Sequence, residues 1–64
     1  MRMTVEIFSA GSLVDTIVIE ARSVEAAKAA AQNLVDAADL PVQGYRIVSE
    51  DGQELLPYQD RKGH

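Results

Sequence analysis

The apolar residues of this chain change period twice, and that double switch limits the fold more than any other feature. From Met3 the pattern has period two: Met3, Val5 and Ile7 point one way, and Thr4, Glu6 and Phe8 the other. After the turn signal Ser9-Ala10-Gly11-Ser12, Leu13 to Glu20 forms a second strand rich in β-branched residues. The sequence leaves the register of this hairpin open: setting Met3 against Ile19 and Val5 against Ile17 aligns the best apolar sets but places Ile7 opposite Asp15. Strand two is apolar on both faces, with Leu13, Ile17 and Ile19 against Val14 and Val18, so part of its second face is expected to be covered or to meet a partner.

The period then becomes helical. Ser23 is a good N-cap, and Glu25 in the first turn suits the positive end of the helix dipole. The helix is predicted over Val24 to Ala38, with Val24, Ala27, Ala31, Leu34, Val35 and Ala38 buried and Glu25, Lys28, Gln32, Asn33 and Asp36 wet. Its alanine stripe favours helix and allows close approach to a sheet, and Leu40-Pro41 ends the element. Period two returns from Val42 to Ser49, with Tyr45 and Ile47 as core residues. Asp51-Gly52 then predicts a type I′ hairpin that pairs Val48 with Leu55, Ile47 with Leu56 and Tyr45 with Tyr58. Pro57 marks the last strand as an edge. The expected fold class is α+β, ββαββ: a four-stranded, mainly antiparallel sheet with one helix on one face. It occupies residues 1–58 as one domain, and Gln59 to His64 is expected to be a disordered tail.

A core in 64 residues typically supplies about 3–5 kcal/mol net, and without cysteine no disulfide supplements it. The same composition leaves little for chemistry. There is no thiol, the one imidazole is the terminal His64, and Gly11 and Gly52 stand alone, outside any phosphate-cradling loop. The acidic stretch Glu50-Asp51-Gly52-Gln53-Glu54 lacks calcium-loop spacing, and the turn explains its Asp-Gly. No catalytic residue, metal or cofactor is therefore expected, and the chain reads as a non-enzyme.

Ten carboxylates face six basic side chains, and residues 1–60 hold only four of the six. That balance argues against direct nucleic-acid binding, and no apolar run approaches the roughly 20 residues that span a membrane. The N-terminus shows no secretion signal, so a cytoplasmic location is expected. Two acidic groups stand out as candidate partner-binding residues. Glu50, Asp51 and Glu54 cluster at the tip of the second hairpin. Asp36 and Asp39 sit at the helix C-terminus, where the dipole disfavours negative charge by roughly 0.3–1 kcal/mol each. A rigid negative strip fits a basic groove built for nucleic-acid phosphates, with Tyr45 or Tyr58 as an aromatic anchor if exposed.

In length, cysteine-free acidic composition, ββαββ pattern from Val5 to Leu56 and acidic turn Glu50-Asp51-Gly52-Gln53-Glu54, the chain resembles the small acidic anti-CRISPR proteins of bacteriophages. The resemblance is one of profile; that class has no diagnostic motif, and no residue role transfers. It implies an inhibitor in the cytoplasm of a bacterial host. Such a protein blocks the site where a type I CRISPR effector complex reads the PAM, using carboxylates that mimic DNA phosphates. The segment Ile19-Glu20-Ala21-Arg22-Ser23-Val24-Glu25-Ala26-Ala27 is also similar to the strand-to-helix step of small antitoxin-like domains, which implies a module binding through an apolar sheet face or edge. Arg61-Lys62 slightly favours an interface of both signs, and a monomer is expected over a dimer.

Overall fold

The structure, a computed structural model, describes residues 1–38 and 42–61. It contains β1 (Arg2–Ser9), β2 (Ser12–Glu20), α1 (Val24–Ala37), β3 (Gly44–Ser49) and β4 (Glu54–Asp60). The four strands form one antiparallel sheet in the order β2-β1-β3-β4, and the helix packs on one face. This is the ββαββ α+β domain read from the period switches.

The sheet order follows from which strands have a face worth burying. Met3, Val5 and Ile7 of β1 lie opposite Ser49, Ile47 and Tyr45 of β3, so their side chains share one face. Helix α1 brings Ala27, Ala31 and Val35 onto that face, and these residues join the three from β1 with Val42, Tyr45 and Ile47 in the core. The helix lies against β3 and its neighbours β1 and β4. Strand β2 is two strand spacings, about 10 Å, from the middle of that footprint. Its Ile17 and Ile19 only lean on the core from the side.

Ser23 caps the helix as expected, its hydroxyl accepting from the Ala26 N–H at 3.1 Å. Two positions depart from the expected stripe. Leu34 is 36% exposed. Gln32, assigned to the wet face, is half-buried: its side-chain carbonyl accepts from the Tyr45 hydroxyl at 3.3 Å, and its amide donates to the Arg61 carbonyl at 3.0 Å. The buried phenol needs an acceptor, and the helix supplies it from a position that the apolar period alone calls polar.

The first hairpin settles the open register on the best apolar alignment, Met3 to Ile19, Val5 to Ile17 and Ile7 to Asp15. Val14 is then an extra residue, because Phe8 pairs with Leu13. The two hairpin turns exchange the expected chemistry. Ala10 (φ 53) and Gly11 (φ 79) are the pair with positive φ, so the two-residue turn of the primed kind forms there. At the second hairpin only Gly52 has positive φ (88). Gly52 N–H donates to the Ser49 carbonyl at 3.0 Å and Ser49 N–H to the Gln53 carbonyl at 2.8 Å, which closes a three-residue loop, Glu50-Asp51-Gly52. This loop sets Val48 opposite Glu54; irregularities on both sides of Ile47 then restore the expected Ile47–Leu56 pair and carry the register one step further, so that Tyr45 pairs with Gln59. The expected Tyr45–Tyr58 and Val48–Leu55 pairs therefore do not form. Tyr58 instead lies on the open face, its ring edge-on to Phe8 with centroids 5.8 Å apart. It covers Gly44, where any β carbon would strike the Tyr58 ring and the Gln59 carbonyl.

Gln59 and Asp60, assigned to the tail from sequence, belong to β4, and Arg61 N–H donates to the Gln43 carbonyl at 2.9 Å. Gln43 ties this end of the sheet together. Its own N–H donates to the Phe8 carbonyl at 2.8 Å, and its side-chain oxygen accepts from Gly11 N–H at 2.9 Å. Leu40-Pro41, Lys62 and His64 lie outside the described residues.

Candidate functional site

The helix runs from the end of the sheet that carries the β3–β4 turn to the opposite end. Its first residues follow Ala21, which bonds Met1, while Gln32 reaches Arg61 beyond the end of β4. Glu50, Asp51 and Glu54 thus share one end with Glu20 and with Glu25 of the first helical turn. Asp36 lies near the other end, roughly 15–20 Å away by helical rise, and Asp39 is outside the described residues. The structure brings the three hairpin residues together and sets Asp36 apart from them.

Glu6 on the open face is closely partnered, and the carboxylates at the hairpin end more loosely. Arg46 and Glu6 are cross-strand neighbours on the open face, with guanidinium contacts to one carboxylate oxygen at 2.5 and 2.8 Å. The same guanidinium reaches Glu54 at 3.5 Å. Arg2 lies 3.9 Å from Glu50, and the terminal amine 3.9 Å from Glu20. Asp51 accepts from the Ser49 hydroxyl, and that bond, with backbone N–H groups at Asp51 and Gln53, holds its carboxyl below the usual aspartate range. Asp36 accepts from the Gln32 amide at 3.3 Å in a last helical turn without a basic residue.

Tyr45 is fully buried. Burial first, and the Asp36 charge second, push its phenol above the usual value, so it is a core residue and no surface anchor. Tyr58 is 40% exposed, and its phenol is raised first by desolvation and then by Asp60.

Among the described residues, three of the large apolar side chains left exposed lie on β2. Leu13, Val14 and Val18 are 51, 52 and 62% exposed. Residues 12–16 are exposed without a break, and the helix-side Ile17 and Ile19 are only half-covered. The two-faced apolar pattern of this strand was the sequence signal for it; the structure adds that β2 is an edge, and that the Val14 bulge turns Leu13, across from Phe8, to the face of Val18 and not to that of Ile17 and Ile19 as expected. Helix α1 carries a shallow depression lined by Glu25, Lys28, Ala29 and Gln32, open to solvent. Among the described residues no group of three or more carboxylates or imidazoles is placed to hold a metal ion. No family model, curated protein or solved structure matches this chain.

Proposed function

We propose that this domain is a protein-binding module that docks through β2. The observation that carries the reading is the exposure of Leu13, Val14 and Val18 on an edge strand, with Leu13 and Val18 on the open face of the sheet. A domain of this size has little apolar area to spare, and three large side chains left in water on one strand are better accounted for by a partner than by the fold. The test compares retention of host-lysate proteins by the native chain, by a Leu13→Ser/Val14→Ser/Val18→Ser variant and by a Glu50→Lys/Asp51→Lys/Glu54→Lys variant. A specific protein lost with the first variant and kept with the second supports docking through β2; the reverse pattern overturns it.

A second reading has its own observation, the gathering of Glu20, Glu25, Glu50, Asp51 and Glu54 at one end. On this reading the hairpin tip competes with DNA phosphates for a basic groove, as in an inhibitor of a type I CRISPR complex. Arg2 and Arg46 must then be drawn off Glu50 and Glu54. Both contacts are exposed and worth about 0–1 kcal/mol each, so a cationic groove would displace them at small cost. Binding of this kind falls steeply with added salt, whereas apolar docking on β2 does not.

A further inference from the structure

We infer that β2 receives an extended strand of its partner along its outer edge, and that this strand carries a lysine or arginine opposite Asp15 and another opposite Glu20. The inference rests on β2 being the docking surface and adds the mode of recognition and the chemistry of the partner.

The mode follows from hydrogen-bond phase. Met1 and Ala21 exchange both backbone bonds, at 2.8 and 2.9 Å, so they form a bonded pair of the antiparallel ladder. Alternation then makes Met3–Ile19, Val5–Ile17 and Ile7–Asp15 the other bonded pairs. Thr16, Val18 and Glu20 consequently turn their N–H and C=O groups away from β1. The Thr16 N–H confirms the phase, since it donates to the carboxylate of Asp15 at 2.8 Å. The segment Thr16–Glu20 pairs with β1 without irregularity and presents a regular template. The opposite edge is a poor one: β4 contains Pro57 and two register irregularities. Native edges are commonly blunted by lysine or proline, and β2 holds neither. Its protections are the Val14 bulge and the Asp15 carboxylate over the Thr16 N–H, and the second is released when a cation binds Asp15.

The chemistry follows from charge and spacing. Ser12–Glu20 contains two carboxylates and no cation. Asp15 and Glu20 lie five positions apart, an odd offset, so they address opposite faces of the sheet. A fitting strand therefore has cations five positions apart, one on each face, with branched apolar residues between them to meet Ile17, Val18 and Ile19. A second copy of β2 does not fit this description. In the symmetric pairings Val18 on Val18 and Thr16 on Val18, Asp15 falls within one residue of the position facing the other copy's Glu20. Like charges then crowd both ends of the junction. Thr16 on Thr16 runs the junction into the Val14 bulge of both copies.

The test titrates ¹⁵N-labelled protein with a synthetic ten-residue peptide, Gly-Ser-Lys-Val-Val-Val-Thr-Lys-Gly-Ser, by NMR. Expected are shifts concentrated at the Thr16, Val18 and Glu20 amides and cross-strand contacts to the peptide. Replacing both peptide lysines by glutamate should abolish binding, and Asp15→Asn/Glu20→Gln should weaken it about three- to tenfold. N-methylation of the peptide amides that face Thr16 and Val18 should cost about tenfold or more while leaving the protein untouched. Equal affinity of the N-methylated peptide, shifts confined to β4 or the hairpin tip, or a concentration-dependent dimer through β2 that the peptide fails to displace would each overturn the inference. If N-methylation is harmless yet Val14→Ser/Val18→Ser abolishes peptide binding, strand pairing fails while docking through β2 stands.

Discussion

Replacing Gly44 by alanine should be among the most damaging single changes in this domain, against the ordinary preference. In a strand interior alanine is normally better than glycine by roughly 0.5–1 kcal/mol. Here the added methyl would enter the Tyr58 ring and the Gln59 carbonyl oxygen. The ring can swing aside, at the loss of its edge-on contact with Phe8, about 0.5–1.5 kcal/mol. The carbonyl belongs to the β4 backbone, whose Gln59 is the ladder partner of Tyr45, so relief there requires β4 to move off β3. Overpacking of this kind costs about 1–3 kcal/mol. With the lost ring contact, and less the usual alanine advantage, the net cost is roughly 1–3.5 kcal/mol. Against the net stability of about 3–5 kcal/mol for a core of this size, Gly44→Ala should leave the protein marginal. Thermal denaturation followed by circular dichroism should show Tm lowered by about 10–30 °C, at 4–8 °C per kcal/mol, toward the lower part of that range where the ring yields easily. Adding Tyr58→Ala should rescue only in part, because the carbonyl remains. A Gly44→Ala protein within about 0.5 kcal/mol of the parent would show that β4 does not bed against Gly44, and the geometry argued for Tyr58 would fall with it.

Other outcomes follow from the same contacts. Ala10 holds φ 53, a left-handed conformation that asparagine tolerates better, so Ala10→Asn should raise stability by about 0.5–1 kcal/mol in urea denaturation. The Tyr45 phenol is raised by burial, so it favours the folded state below its unfolded value near 10, and that contribution is lost as pH climbs through the folded value. Stability measured upward from about pH 10 should therefore fall, and Tyr45→Phe should flatten the decline. Asp51 has the opposite sign: its lowered carboxyl stabilises above the unfolded value and loses this as pH falls through the folded one, so Asp51→Asn should reduce the acid sensitivity of unfolding. Arg46→Ala leaves a partly buried Glu6 without its cation and should cost about 1–2 kcal/mol, discounted for the exposure of the guanidinium. Arg2→Ala should change stability by less than about 0.5 kcal/mol.

The parts of the fold legible in the sequence are those fixed by hydrophobic period. Met3, Val5 and Ile7 demand Ile17 and Ile19 across from them, because slipping β2 by one residue would turn its apolar set to the other face. The Ser23 cap and the alanine stripe were readable for the same reason: each is a local rule with no strong competitor. The turns were not. Asp-Gly is the stronger primed-turn signal, yet the Ser49 hydroxyl accepts from Gln53 N–H at 3.0 Å and engages Asp51, which favours the longer loop. That extra loop residue displaces Leu55 from Val48, and the irregularity between Ile47 and Tyr45 takes Tyr58 away from Tyr45 and onto Gly44, a contact that depends on tertiary register and leaves no local trace. Gln32 and Gln43 were invisible for a related reason, since a polar residue that satisfies a distant donor or acceptor looks like any other surface amide. At the candidate surface, the apolar character of both β2 faces was legible, whereas its position at the edge depends on the choice of β3 as the second neighbour of β1.

The acidic character of the chain divides according to what its carboxylates already do. Glu6 is the most committed, held by Arg46 on the half-covered open face, and its removal from that pair would cost more than an exposed contact returns. Glu50 and Glu54 are more loosely engaged, through side chains at least half exposed, and can change partners at little cost. Asp15 occupies an intermediate position: it accepts from the backbone donor that a pairing strand would use, so it both guards the β2 edge and selects what may open it. An uncharged strand must displace the Asp15 carboxylate from the Thr16 N–H without supplying another partner, whereas a strand bearing a cation supplies one. Edge protection and charge selectivity are then the same interaction, and its sign, more than the net charge of the chain, determines which extended segments can dock.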